Sequence, residues 1–262
     1  MSCLPILLYH SVDVTTSEPY RRWSIQPSLF AEHLEVISSL GFDCLTVSDY
    51  VDRRAGGALP PKPALITFDD GRADFSEHAA PILATSGMPS TMYVVTAAIG
   101  RTSSWLPIPE ERTKPMMTWA DLRSLRSAGV ELGAHSLSHP ELDVISSKQA
   151  RREISASREH LEDGLDLAVR SFAYPHGYHS RSVIKITRES GYDSACAVKD
   201  RWSEPDDDAF ALSRLIIDGG TTAEQLESLL RNPPARQPRE QRVLRLAWRT
   251  TRRAKRKLRR AA

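Results

Sequence analysis

Two adjacent carboxylates, Asp69 and Asp70, stand in Thr67-Phe-Asp-Asp-Gly-Arg72, where an apolar run from Ala64 to Phe68 gives way to a turn. Successive residues leaving a strand point different ways. One carboxylate is then placed to bind a divalent metal while its neighbour faces a water held beside it, the division of labour that hydrolysis needs. Downstream, His135-Ser-Leu-Ser-His139 ends a second apolar run, Val130 to Ala134, and two imidazoles four positions apart across a tight turn reach one ion from the same side. Either motif alone is weak, because Asp-Asp-Gly is a common turn and a lone His is usually a surface or hydrogen-bonded residue. Together they supply a facial set of one carboxylate and two imidazoles, with positions left for water and substrate. A third segment, Arg170-Ser-Phe-Ala-Tyr-Pro-His-Gly177, closes in a turn constrained by Pro175 and Gly177. Such a turn is able to aim the His176 N–H at a developing oxyanion; the alternative is a plain turn with an incidental His.

The elements that must hold these residues alternate along the chain. Leu4 to Tyr9 reads as a buried strand, and Pro27 to Leu40 has helical apolar spacing and stops at Gly41. Ala64 to Phe68 is a strand, Ser76 to Ser86 a helix, Ser90 to Val95 a strand, and Thr118 to Ala128 a helix with a Thr cap and a closing Gly129. Val130 to Ala134, Val169 to Tyr174 and Ser194 to Val198 are further strands, with helices over Ser147 to Gly164, Ser180 to Ser190 and Ala223 to Leu230. Repeated strand-helix units of this length predict an α/β fold with a parallel sheet, either open and doubly wound or closed as a barrel. The loop from Gly100 to Met117, with Trp105 and three prolines, is long enough to wall a substrate groove or to be a surface insertion.

At this point the sequence resembles the polysaccharide deacetylases, the NodB-homology or carbohydrate esterase family four domain. Thr67-Phe-Asp69-Asp70-Gly71, His135-Ser-Leu-Ser-His139 and Arg170 to Gly177 are similar to its three signatures in order and spacing, and the resemblance spans roughly Leu4 to Leu230. It implies a distorted (β/α) barrel, usually of seven strands. It also implies a metal held by Asp70, His135 and His139, commonly zinc, with cobalt, manganese or nickel as alternatives. By the same resemblance Asp69 is the general base, and the substrate is an N-acetylated amino sugar in a glycan. Two positions depart from the familiar pattern. No His follows His179, so the late general acid is missing; His10, in Leu-Leu-Tyr-His, is the substitute and His176 the competitor. A Tyr-His pair ending the first strand also resembles the branch that deacetylates poly-N-acetylglucosamine. Ala173 stands where an arginine often orients the catalytic Asp, leaving Arg214 to supply that charge, while Arg170 is expected to pack or pair structurally. Asp74, Tyr174 and Trp105 are expected to line the groove. The other histidines, His33, His78, His160 and His179, are expected to be solvated or incidental. Two rival readings are a small-amide hydrolase of the same superfamily and a carbohydrate-binding protein without catalysis.

Composition sets the outer bounds. At 262 residues with 40% hydrophobic and 26% charged, the chain is of ordinary globular composition. Its three cysteines, Cys3, Cys44 and Cys196, form no metal-knuckle spacing and argue against a disulfide framework. The start lacks a basic leader and no run reaches the length of a membrane span, so a cytoplasmic protein is expected. The net charge of +2 conceals a division: residues 236–262 hold 12 Lys or Arg against one acid, leaving 23 basic and 32 acidic residues elsewhere. Residues 1–230 are expected to form the catalytic domain and 231–262 a Pro-containing linker and a basic tail. In the tail, 241–260, Leu244, Ala247, Trp248, Thr251 and Leu258 share a helical face among arginines, a pattern suited to an anionic membrane surface. Disorder with nonspecific polyanion binding is the alternative; no specific nucleic-acid site is expected.

Overall fold

The computed structural model describes residues 3–233, 248 and 250–252. Its strands, in chain order, are β1 (Ile6–Tyr9), β2 (Ser11–Val12), β3 (Ser24–Ile25), β4 (Asp43–Leu45), β5 (Pro63–Phe68), β6 (Ser90–Val94), β7 (Val130–Ala134), β8 (Ser171–Ala173), β9 (Ser194–Val198) and β10 (Leu212–Ile216). Its helices are α1 (Pro27–Ser39), α2 (Val47–Gly56), α3 (Ala80–Ser86), α4 (Trp119–Ser127), α5 (Ser147–Leu165), α6 (Arg181–Glu189) and α7 (Ala223–Arg231). A π-turn, Phe75–Ala79, leads into α3, so the expected helix of that region begins irregularly. β4 and α2 were not expected from the sequence. β4 is three residues long and α2 buries only Val47 and Tyr50, too little of either pattern to register.

The sheet runs β1-β10-β9-β8-β7-β6-β5, and β1 pairs again with β5. Seven parallel strands therefore close a barrel, with β4 added outside the ring on β5. The alternation of side chains sorts the residues of each strand into two sets. Leu7, Tyr9, Ile66, Phe68, Met92, Val94, Leu132, Ala134, Phe172 and Ala195 join the cluster that packs under the helices. Ile6, Leu65, Tyr93, Ala173, Cys196 and Leu212 form the smaller cluster inside the barrel. The inner set continues upward at alternate positions as Thr67 and Asp69, Gly133 and His135, and Leu212 and Arg214. The chemical residues are thus inward positions at the C-terminal ends of parallel strands, the end where such barrels carry their sites.

Gly133 shows how tightly that interior is filled. A Cβ there would lie 2.6 Å from the Tyr93 ring and 2.8 Å from Ser171 Oγ. Gly133→Ala should lower stability by about 1–3 kcal/mol through overpacking. Urea unfolding reads this as a lower midpoint at unchanged slope, and an unchanged midpoint would show the interior to be looser than described.

The helices are delimited by local chemistry. Reciprocal side-chain caps open α4 (Thr118 with Asp121), α5 (Ser146 with Gln149) and α7 (Thr222 with Gln225). On α1 the buried stripe is Phe30, His33, Leu34 and Ile37. His33 is therefore not solvated: its ring is fully buried, Nδ1 accepts from the Tyr9 hydroxyl at 3.0 Å and Nε2 donates to the Thr221 carbonyl at 2.8 Å. That pairing ties α1 to β1 and to the loop before α7. Arg170 bridges Asp52 and Asp193 at the surface, as a structural residue. All three cysteines are free. Among the described residues no helix is long and apolar enough to cross a membrane. Most of the basic tail, 241–260, lies outside the described residues, and its amphipathic reading with it.

Candidate active site

β5 ends at Phe68, and the Asp69 N–H continues the pairing with β1 by donating to the Tyr9 carbonyl at 3.1 Å. His10 follows Tyr9, whose ring packs outward on Phe30, so His10 falls on the inner side level with Asp69. The chain then turns sharply at Asp70, which has φ of 78°. Among the described residues, six non-glycines have positive φ, and four of them (Asp70, Ser136, His139 and His176) lie in the three motif segments. Each such residue costs about 1–3 kcal/mol and persists only where the surroundings fix it, a common signature of functional sites.

The turns bring Asp70, His135 and His139 together, with one ligand atom from each within 4.8 Å of the others. His139 Nε2 is 3.5 Å and His135 Nε2 3.8 Å from Asp70 Oδ1. His135 Nδ1 donates to the Ala173 carbonyl at 2.9 Å, which fixes the tautomer and leaves Nε2 with its lone pair facing Asp70. Burial foremost lowers the proton affinity of both imidazoles, and for His139 the neighbouring His135 and His176 add to it. Neutral imidazoles are the form that binds a metal. Asp70 Oδ1 is buried without a hydrogen-bond partner. An unsatisfied carboxylate oxygen facing two neutral imidazole nitrogens is a donor set that fits a divalent cation.

Burial pushes the Asp70 carboxyl up to about 6, with the Asp69 charge adding to the shift against the opposing His10. A carboxyl whose folded pKa is raised is destabilising once ionised, a cost that grows from about pH 4 and is complete above about pH 6. Asp70→Asn should therefore make the metal-free protein more stable at pH 7.5, by up to about 3 kcal/mol. The same substitution should remove the stabilisation that added zinc gives the wild type. Thermal melts with and without zinc check both halves; a less stable variant that still responds to zinc would contradict the assignment.

Asp69 sits beside this set, its Oδ2 3.6 Å from His135 Nε2. Arg214 reaches it from β10 across the barrel interior in a two-pronged pair, Nη1 to Oδ1 at 2.6 Å and Nη2 to Oδ2 at 2.8 Å. Both side chains are buried. Burial works against the Asp69 charge, yet Arg214 and then His135 outweigh it and hold the carboxyl below its ordinary value. Arg214 thus supplies, from a different strand, a guanidinium where Ala173 leaves none.

The rim is built by the long loops. The segment after Gly100 is clamped to the Asp69-Asp70 turn by Arg72, which is buried and pairs with both Asp74 (2.8 Å) and Glu111 (3.0 Å). A bridge between Arg72 and Met116 reinforces it. This clamp sets Trp105 over His139, ring centroids 5.5 Å apart, so the loop walls the site. Asp74 does not line it: its carboxylate is engaged by Arg72, Ser11 Oγ (2.9 Å) and the Val12 N–H, and is buried. Tyr174 does not line it either. It follows the inward Ala173, so its ring turns outward into the core and its hydroxyl donates to the Phe210 carbonyl at 2.9 Å.

His176 has φ of 58° and its ring lies 4.6 Å from that of His139. The turn is closed by Gly177 N–H to the Tyr174 carbonyl and Tyr178 N–H to the Pro175 carbonyl, bonds that leave the His176 N–H out. Gly177 is required here, since at φ of 70° a Cβ would sit 2.5 Å from Val198 Cβ. Burial first, then the charges of His135 and Arg252, push the His176 imidazole down to about 4. Sequence reasoning missed Trp23, 4.8 Å from the His10 ring, and the Arg252–Asp143 pair. Neither has a local signal, for both depend on contacts across long stretches of chain.

Known proteins place this architecture. YxkH of Bacillus subtilis is 24% identical over 218 residues, covering 83% of this chain and 72% of its own. The poly-beta-1,6-N-acetyl-D-glucosamine N-deacetylase of Staphylococcus epidermidis is 22% identical over 203 residues, 77% of this chain and 70% of its own. The fold is similar to that of the Streptococcus pyogenes deacetylase PplD, solved in complex with acetate: TM-score 0.75 at 23% identity, covering 86% of this chain and 96% of that one. The polysaccharide deacetylase family model matches residues 56–195, which include Asp69, Asp70, His135, His139 and His176. With more than half its length matched and the barrel closed around those residues, the chain belongs to the polysaccharide deacetylase family.

Proposed function

We propose that the protein hydrolyses the N-acetyl amide of an amino-sugar unit in a glycan or glycolipid. The observation that carries this is the separation of roles between neighbours: Asp70 completes a cation-binding trio while Asp69, beside it, is held by Arg214 and shares His135 as its other neighbour. A divalent metal, zinc foremost, bound by Asp70, His135 and His139 would polarise the acetamide carbonyl and acidify a water.

The protein's own groups account for the remaining steps. Asp69 accepts the proton as water adds to the carbonyl carbon. Arg214 keeps that carboxylate ionised and fixes its orientation. The His176 N–H donates to the oxyanion of the tetrahedral species. When the carbon–nitrogen bond breaks, the sugar nitrogen must be protonated, and His10 is the donor. Burial foremost holds the proton affinity of His10 below its ordinary value, with Arg214 and His135 adding to it and Asp70 and Asp69 opposing. His176 is lowered too, by burial first and then by His135 and Arg252, with the single carboxylate of Asp143 opposing where His10 faces two. The products are acetate and a free amine in equal amounts. The relative in Staphylococcus epidermidis supports a poly-N-acetylglucosamine substrate.

The zinc-loaded protein should release acetate from β-1,6-linked N-acetylglucosamine oligomers, matched one to one by new amines. β-1,4-linked oligomers and a panel of small amides serve as the comparison. No acetate from any N-acetyl sugar would overturn the proposal, and turnover confined to small amides would move the substrate class. His10→Ala should retain metal and lose about 10²-fold or more in kcat, the usual effect of removing a positioned acid. Unchanged kcat would shift the acid role to His176.

A further inference from the structure

Trp248 and Arg252 lie beside the site. Residues 248 and 250–252 are helical, and Trp248 and Arg252, four positions apart, present one face to the same residue, Tyr178. The Trp248 indole nitrogen donates to the Tyr178 hydroxyl at 3.3 Å, and the Arg252 guanidinium lies over the Tyr178 ring at 3.7 Å. Arg252 is buried and forms a two-pronged pair with Asp143, at 3.0 and 2.9 Å, and a longer one with Glu141. Both partner loops carry site residues. Asp143 lies four positions after the metal ligand His139, and Tyr178 two after His176, with the Tyr178 and His176 rings 5.7 Å apart. A buried, bidentate and stacked arginine is a docking contact, not a loosely lying side chain.

What this docking presents is an indole. Trp248 is 49% exposed, and the only other large hydrophobic residue that exposed among the described residues is Val14. Its ring is separated from the metal ligand His139 by two other rings, Tyr178 and His176. A half-exposed indole whose N–H is held suits the C–H face of a pyranose. We propose that Trp248, docked by Arg252, forms a binding position for the sugar next to the one deacetylated, making these two residues part of the substrate-binding rim. The inference rests on the glycan reading above for the identity of the ligand, but the docking itself does not.

The test uses the full chain labelled with 5-fluorotryptophan, Trp248→Ala assigning the Trp248 fluorine line. Arg252→Ala should move that line without substrate, while Arg252→Lys, which cannot form the same two-pronged and stacked contact, should restore it only in part. A β-1,6-linked N-acetylglucosamine pentamer should shift the line, and the monosaccharide should not. Trp248→Ala should raise KM for the pentamer about ten-fold, as expected for losing one stacking contact, and leave kcat and the monosaccharide's kcat/KM within about two-fold. A line unmoved by Arg252→Ala, or a pentamer that neither shifts it nor shows a changed KM in Trp248→Ala, would overturn the rim. A pentamer that shifts the line in a chain without turnover would support the rim and count against the deacetylase.

Discussion

Asp69→Asn should leave a chain that binds one metal and loses about 10²–10⁴-fold in kcat, the range for deleting a positioned proton acceptor. The neutral amide is isosteric and still accepts a hydrogen bond from Arg214, but it cannot take a proton from water. Metal analysis alongside turnover separates the two effects, since the substitution leaves the candidate cation-binding atoms of Asp70, His135 and His139 unaltered. Loss of metal together with activity would instead make Asp69 a ligand. Retention of more than about a tenth of the activity would remove it from proton transfer altogether.

Arg214→Ala should be the most damaging single change to stability in the barrel, lowering it by about 3–5 kcal/mol at neutral pH, because it leaves the buried Asp69 carboxylate unpaired. The pH dependence gives the sign. In the wild type the folded-state carboxyl of Asp69 is held low, so the pair stabilises the fold above the ordinary carboxylate range and that contribution fades as pH falls through the folded value. Without Arg214, burial alone acts, the carboxyl rises, and the variant regains ground in acid by taking a proton. Urea midpoints at pH 7 and near pH 4.5 should therefore converge for the two proteins. Arg214→Ala combined with Asp69→Asn should cost less than the sum of the single changes, since the second removes the charge the first orphans. A deficit independent of pH, or additive losses, would mean that Arg214 acts only by filling space.

The placement of Asp69, Asp70, His135 and His139 was legible because they sit in short segments that end strands, where two residues in sequence are necessarily close in space. Ala64 to Phe68 and Val130 to Ala134 lie in strands with almost the bounds their apolar runs predict, and the chemistry begins where each ends. Closure of the barrel placed His10 between the strands of Arg214 and Asp69, as the first-and-last-strand relation requires. Two departures from expectation follow from periodicity itself. Tyr174 follows an inward residue and so had to face out. His33 shares a stripe with Phe30, Leu34 and Ile37 and so had to be buried.

Other features had no local trace. The Arg72–Glu111 clamp that carries Trp105 to His139 joins residues 39 apart, and Arg252 meets Asp143 across 109. Asp74 reads as a rim acid in the sequence because it follows the Asp69-Asp70 turn. Only the packing of Arg72 beneath that turn shows that its charge is already matched. Such long-range ion pairs depend on topology, which hydrophobic periodicity constrains but does not specify.

The most direct test of the whole account is to strip the purified protein of metal, titrate zinc back, and follow bound zinc and acetate release from the N-acetylglucosamine oligomer in the same samples. Saturation is expected at one zinc per chain, with activity rising in proportion to occupancy, and neither in a chain lacking Asp70, His135 and His139. Full activity in the stripped protein, or tight zinc binding that survives loss of all three residues, would contradict it.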